Sequence, residues 1–155
     1  MGGYKVIDII DNLIYIEKKG YNMFKEISES CKDSKVSIVA KTIANQENKH
    51  IQYYENLKEN IETLDKEEID FFIYDKVSSR IQQFKFNMNI TEMTNIKELI
   101  NFSIDFEKEN LALLIDIQGQ LIRKETDTNM LAYNVIEKII NEEKKHIQLL
   151  NPYCK

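Results

Sequence analysis

The chain has 155 residues, 43% hydrophobic and 30% charged, enough for the core of one soluble domain spanning 1–155. Its net charge of −5 argues against a nucleic-acid binder, which would carry a basic stripe, and no apolar run approaches the roughly 18 residues of a membrane span. With four glycines and a single proline, Pro152, long helices meet few breakers, and an all-α fold is expected.

Cys31 and Cys154 lie far apart and form no CxxC, so the chain has neither an iron–cysteine knuckle nor a disulfide framework. The apolar start Val6-Ile7-Asp8-Ile9-Ile10 lacks the basic flank and long apolar core of a signal peptide. A cytoplasmic protein with neither membrane nor nucleic-acid partners is expected.

The first helix is expected over about Tyr4 to Ser30, with Ile10, Leu13, Ile14, Tyr21 and Phe24 at the spacing of a buried stripe. Glu17 falls in the middle of that stripe, where an unpartnered carboxylate is costly. Gly20, one turn on, leaves a thin spot beside it through which a ligand or backbone could approach. Lys32-Asp33-Ser34 reads as a tight turn, with Asp33 or Ser34 capping a second helix from about Lys35 to Thr63. Its stripe runs Val36, Val39, Ala40, Ile43, Glu47, His50, Ile51, Tyr54 and Leu57, so Glu47 and His50 take slots meant for apolar residues. Glu17 and Glu47 stand about 13 residues either side of the turn, so at about 1.5 Å per residue they are level in an antiparallel hairpin.

Leu64 to Thr94 forms a long crossover, helical over Lys66 to Phe84 on the spacing of Ile69, Phe72, Ile73, Val77 and Ile81. Phe84-Lys85-Phe86-Asn87-Met88 loses the period and reads as loop. The third bundle helix starts after Thr94 or Asn95, where Asn95 followed by Glu98 resembles a capping box. Its stripe is Leu99, Ile100, Ser103, Ile104, Glu107, Leu111 and Leu114, again with a central glutamate. Asn110 is one turn further on the same face, and Glu109 on roughly the opposite one. The polar turn 124–128 leads to the fourth bundle helix, Thr128 to Leu150, which Asn151-Pro152 ends. Its stripe carries Glu143 and His146, with Glu142 turned about 100° away. Glu107 and Glu143 are about equally far from Glu125 and so are level as well.

The chain's two histidines each follow a glutamate by three residues, Glu47-Asn48-Lys49-His50 and Glu143-Lys144-Lys145-His146. On a helix this spacing puts carboxylate and imidazole side by side. Two such helices, with one glutamate from each of two others, make the carboxylate-bridged di-metal site of a four-helix bundle. The expected ligands are Glu17, Glu47, His50, Glu107, Glu143 and His146. Four carboxylates balance two divalent ions, with Glu47 and Glu143 bridging, Glu17 and His50 completing one ion, and Glu107 and His146 the other. Oxygen donors with a few nitrogens suit iron or manganese, with zinc also compatible. Tyr21, Tyr54 and Phe24 are read as core.

Glu17-Lys18-Lys19-Gly20-Tyr21-Asn22-Met23-Phe24 through Glu47-Asn48-Lys49-His50, with Phe106-Glu107-Lys108-Glu109-Asn110 and Glu142-Glu143-Lys144-Lys145-His146, resembles the rubrerythrin-type branch of the ferritin-like superfamily. The likeness spans about residues 5 to 150. It implies an antiparallel four-helix bundle of two hairpins joined by a partly helical crossover. It also implies two iron ions, a homodimer, and reduction of hydrogen peroxide or dioxygen at the binuclear centre. Two departures stand out. Asn110 occupies the place of a second helix-three glutamate, which bears on peroxidase activity. The rubredoxin relay domain is also missing, so electrons would come from a separate donor protein. Iron oxidation and storage, or a bundle that holds metal only structurally, are the competing functions.

Overall fold

The computed structural model describes residues 3–62, 68–89, 93, 95–122 and 130–153. Five α-helices follow in order: α1 Val6–Ser30, α2 Ser34–Glu62, α3 Phe71–Asn87, α4 Ile96–Gln120 and α5 Leu131–Leu150, closed by a 3₁₀ turn over Asn151–Tyr153. α1 and α2 form one tight antiparallel hairpin, α4 and α5 a second, and α3 crosses between them, packed on α1 and α4. This is the expected architecture. The two hairpins face one another through α2 against α4 and α1 against α5.

The caps explain where the helices begin. α1 starts two residues later than the stripe suggests, because the Asp8 carboxylate accepts the Lys5 backbone N–H at 2.8 Å and closes the first turn there. α2 starts on Ser34, with the Asp33 side chain accepting from the backbone N–H of Lys35 at 2.8 Å. The Asn95 side chain accepts from the Glu98 N–H at 2.9 Å, which sets the start of α4. The expected ends at Thr63 and Thr128, and the turn 124–128, lie outside the described residues.

The crossover departs from expectation at both ends. Ile69 is not helical: its N–H is donated to the Tyr4 carbonyl at 2.7 Å in an isolated antiparallel bridge. Asp70 then caps α3 by accepting from the Phe72 N–H, and Phe72 is left 70% exposed rather than buried in a stripe. Lys66 lies outside the described residues. At the far end, residues 84–87 are helix, not loop. Tertiary contacts carry this extra turn. Phe84 packs on Phe106 with ring centroids 6.2 Å apart, and Lys85 lies over the Tyr15 ring while its carbonyl accepts from Lys19 Nζ.

The core runs the length of the bundle. Ile9, Leu13, Ile16 and Phe24 from α1 meet Tyr54 from α2, Leu114 and Ile117 from α4, and Ile136 from α5, all nearly inaccessible to solvent. Ile81 seals the side covered by α3. Among the described residues, no helix is long and apolar enough to cross a membrane.

Candidate metal centre

Each stripe that buries the core also delivers one glutamate to the same depth. Glu17 stands as far from the end of α1 as Glu47 does from the start of α2, so the hairpin brings them level. Glu107 and Glu143 arrive from α4 and α5, and His50 and His146 follow their glutamates one turn along. All six side chains are buried, the four glutamates at 0–1% exposure and the histidines at 8% and 4%. Glu109 is exposed, and Glu142 is half-buried and paired with Lys145 at 3.6 Å.

The six residues fall into two groups that share His50. In one, ligand-type atoms of Glu47, His50, Glu107 and His146 all lie within 4.8 Å of one another; in the other, those of Glu17, His50 and Glu143 do. His50 Nδ1 is 3.4 Å from Glu143 Oε1 and 3.7 Å from Glu17 Oε2, and His146 Nδ1 is 3.4 Å from Glu107 Oε1. These distances exceed good hydrogen bonds. The two imidazoles meet edge to face, with centroids 4.5 Å apart.

The unpaired atoms are the informative ones. Glu17 Oε2, both carboxylate oxygens of Glu47 and of Glu107, Glu143 Oε2, and Nδ1 of both His50 and His146 are buried without a hydrogen-bond partner. A protein interior rarely leaves so many acceptors together, because each unsatisfied buried polar group costs roughly 1–3 kcal/mol. They converge from four helices on one centre, with six oxygens and two imidazole nitrogens. That donor set fits a pair of hard or borderline divalent cations.

Electrostatics reinforce this. Burial, then the charges of Glu107 and Glu17, push the Glu47 carboxyl well above the ordinary range. Burial and the same two neighbours do likewise for Glu143. Burial also raises Glu107, but its contacts with Glu47, His146 and Glu143 outweigh this and hold it below the usual value. For His50, burial lowers the pKa, and the nearby Glu17 carboxylate with the charges of Glu107 and Glu142 more than restores it. The charges of Glu17 and Glu107 thus reach both Glu47 and Glu143, so the four carboxylates form one electrostatic cluster.

Three further residues hold Glu17, Glu143 and His146 in place. Tyr54 is core, as expected, but its hydroxyl also donates to Glu143 Oε1 at 2.7 Å and lies 3.3 Å from Glu17 Oε1. Asn110, 1% exposed, donates Nδ2–H to Glu17 Oε1 at 2.9 Å, and so orients that carboxylate from α4. Gln46 Oε1 sits 2.7 Å from His146 Nε2. With the proton on Nε2, the Nδ1 lone pair of His146 faces the carboxylates. Gln46 carries no sequence signal, since its partner lies a hundred residues on and it sits one position off the stripe. Gly20 does sit at a close approach, but a side chain comes near rather than backbone: a Cβ there would meet Phe106 Cζ at 3.0 Å.

No family model matches the chain, and no curated protein or solved structure matches it either. The geometry itself is that of an all-α, ferritin-like four-helix bundle with carboxylate and histidine metal-binding motifs on its inward faces.

Proposed function

We propose that this protein is a rubrerythrin-like di-iron oxidoreductase that reduces hydrogen peroxide or dioxygen. The carrying observation is the set of buried, unpartnered oxygen and Nδ1 atoms gathered from four helices. Glu17, Glu47, His50, Glu107, Glu143 and His146 would hold the ions. Two ferrous ions side by side would supply the electron pair needed to cleave an O–O bond.

The chain's own groups do the rest. The aliphatic core above and below the cluster excludes bulk water, which strengthens every charge interaction inside it. Tyr54 keeps its proton, since burial and the neighbouring Glu143 and Glu17 charges push its pKa well up, and that O–H holds Glu143 in one orientation. Asn110 does the same for Glu17 with a neutral amide. Where a second glutamate would add charge and could change partners, the amide offers a fixed donor and no charge.

On this reading electrons come from a separate donor protein, and the molecule works as a cytoplasmic homodimer that removes small oxidants. Metal analysis of protein purified without oxygen should find two irons per chain. The reduced, iron-loaded protein should consume peroxide much faster than the same concentration of free iron. Turnover at the free-iron rate with two metals bound would favour a structural metal site. A hollow multi-subunit shell in native mass measurement would favour iron oxidation and storage.

A further inference from the structure

The four glutamates of the centre are 0–1% exposed, so a reactant reaches those carboxylates only where something moves. A cavity of about 530 Å³ opens between α1, α3 and α4. Phe84, Phe102, Phe106 and Met23 give it apolar walls, and Asp105 and Glu109 stand at its polar rim. Phe106 is the partition between this cavity and the centre. On its far side the ring covers Gly20, where a Cβ would sit 3.0 Å from Phe106 Cζ and 3.6 Å from Glu47 Oε2. One ring and the Cα hydrogens of a glycine therefore separate the cavity from the Glu47 carboxylate.

The ring is held only by packing. It meets Phe24 edge-on with centroids 6.2 Å apart and Phe84 at the same distance. Phe106 itself lines the cavity, and a swing of its ring away from Gly20 would uncover the notch there. We propose that this cavity is the antechamber for a small uncharged reactant and that Phe106, seated over Gly20, is its gate. The proposal rests on reading the cluster as a metal centre. The notch admits a molecule of a few atoms, the apolar walls disfavour ions, and the two rim carboxylates repel anions. Dioxygen and hydrogen peroxide have the required size and neutrality.

The test uses nitric oxide as an uncharged probe and azide as an anionic one, mixed with reduced, iron-loaded protein, alongside metal analysis of each variant. Phe106→Leu, which keeps an apolar side chain in the core, should bind nitric oxide on the order of tenfold faster. Gly20→Ala, whose Cβ fills the notch once the Phe106 ring yields by a few tenths of an ångström, should bind it on the order of tenfold more slowly. Both should retain two metals per chain. Asp105→Asn with Glu109→Gln should speed azide and leave nitric oxide unchanged. Xenon pressurisation of metal-free crystals gives a reading without the metal: xenon in the cavity, extending to the Gly20 notch in Phe106→Leu, supports the route. Nitric oxide rates within about twofold of the parent in both single variants, with metals retained, would overturn it and point to access along the exposed edge of His50. Metal-bound parent that takes up nitric oxide but spares both peroxide and dioxygen would instead refute the oxidoreductase reading and leave the gate standing.

Discussion

Gln46 and Tyr54 show how far a single residue's role can hide from its sequence position. Tyr54 was visible as core because it lies four residues after His50 on the stripe, yet its hydroxyl partner is on α5. Gln46 was invisible, because only the folded hairpins bring it to His146. Replacing Gln46 with Leu frees the His146 ring to turn and to change tautomer, and should weaken metal binding by about 10- to 100-fold. Competition with a chelator of known affinity measures this, and Glu142→Ala, whose carboxylate pairs outward with Lys145, is the control expected to bind as the parent does. Equal affinity for the Gln46 variant and the parent would mean that the contact does not orient the ligand. Tyr54→Phe leaves Glu143 Oε1 without its donor, which should cost the metal-free protein about 1–3 kcal/mol in urea unfolding. The loss should shrink with metal bound, since a cation then satisfies the same carboxylate.

At the scale of the helices, legibility followed amphipathicity. α1, α2, α4 and α5 each bury one continuous face, so a 3.6-residue period located them and their interrupting glutamates. α3 buries only Val77 and Ile81 fully, and a short helix with two anchors leaves its ends to be set by other elements. The Tyr4 bridge draws Ile69 out of the helix, while Phe84 and Lys85 find partners on α4 and α1 that extend it. Unfolding measurements on three substitutions check this picture. Ile81→Ala should cost about 2–5 kcal/mol as a buried large-to-small change. Asp70→Ala should cost about 0.5–2 kcal/mol through the lost cap. Phe72→Ser should stay within about 0.5 kcal/mol despite removing an aromatic ring, because that ring is 70% exposed. A large loss from Phe72→Ser would restore the stripe read from the sequence and put the start of α3 in the wrong place.

For the whole molecule, the centre sets a conflict between folding and function that metal resolves. The core is continuous except where four carboxylates are buried together, and that charge must be neutralised by protons or by cations. Glu47 and Glu143 have raised folded pKa values, so their contribution is complete below the ordinary glutamate value of 4.5 and is lost as pH rises through the folded values. His50 is raised from 6.5, and its contribution likewise declines with rising pH. Glu107 is depressed, so its contribution is complete above the ordinary value and falls only in acid, outside this window. The chelated protein should therefore lose stability as pH rises above the ordinary glutamate value of 4.5, opposite to a protein whose carboxylates are paired with cations. Adding divalent metal should reverse the trend, because the ions displace the protons and bind better as pH rises. At free metal a hundredfold above Kd each ion contributes about 2.7 kcal/mol, and at about 2–4 °C per kcal/mol two ions should raise Tm by about 10 °C or more. Thermal unfolding across that pH range, with and without metal, decides the matter. A Tm that neither falls with pH in the chelated protein nor rises with metal would mean that the four buried glutamates are not the ligands of a metal pair.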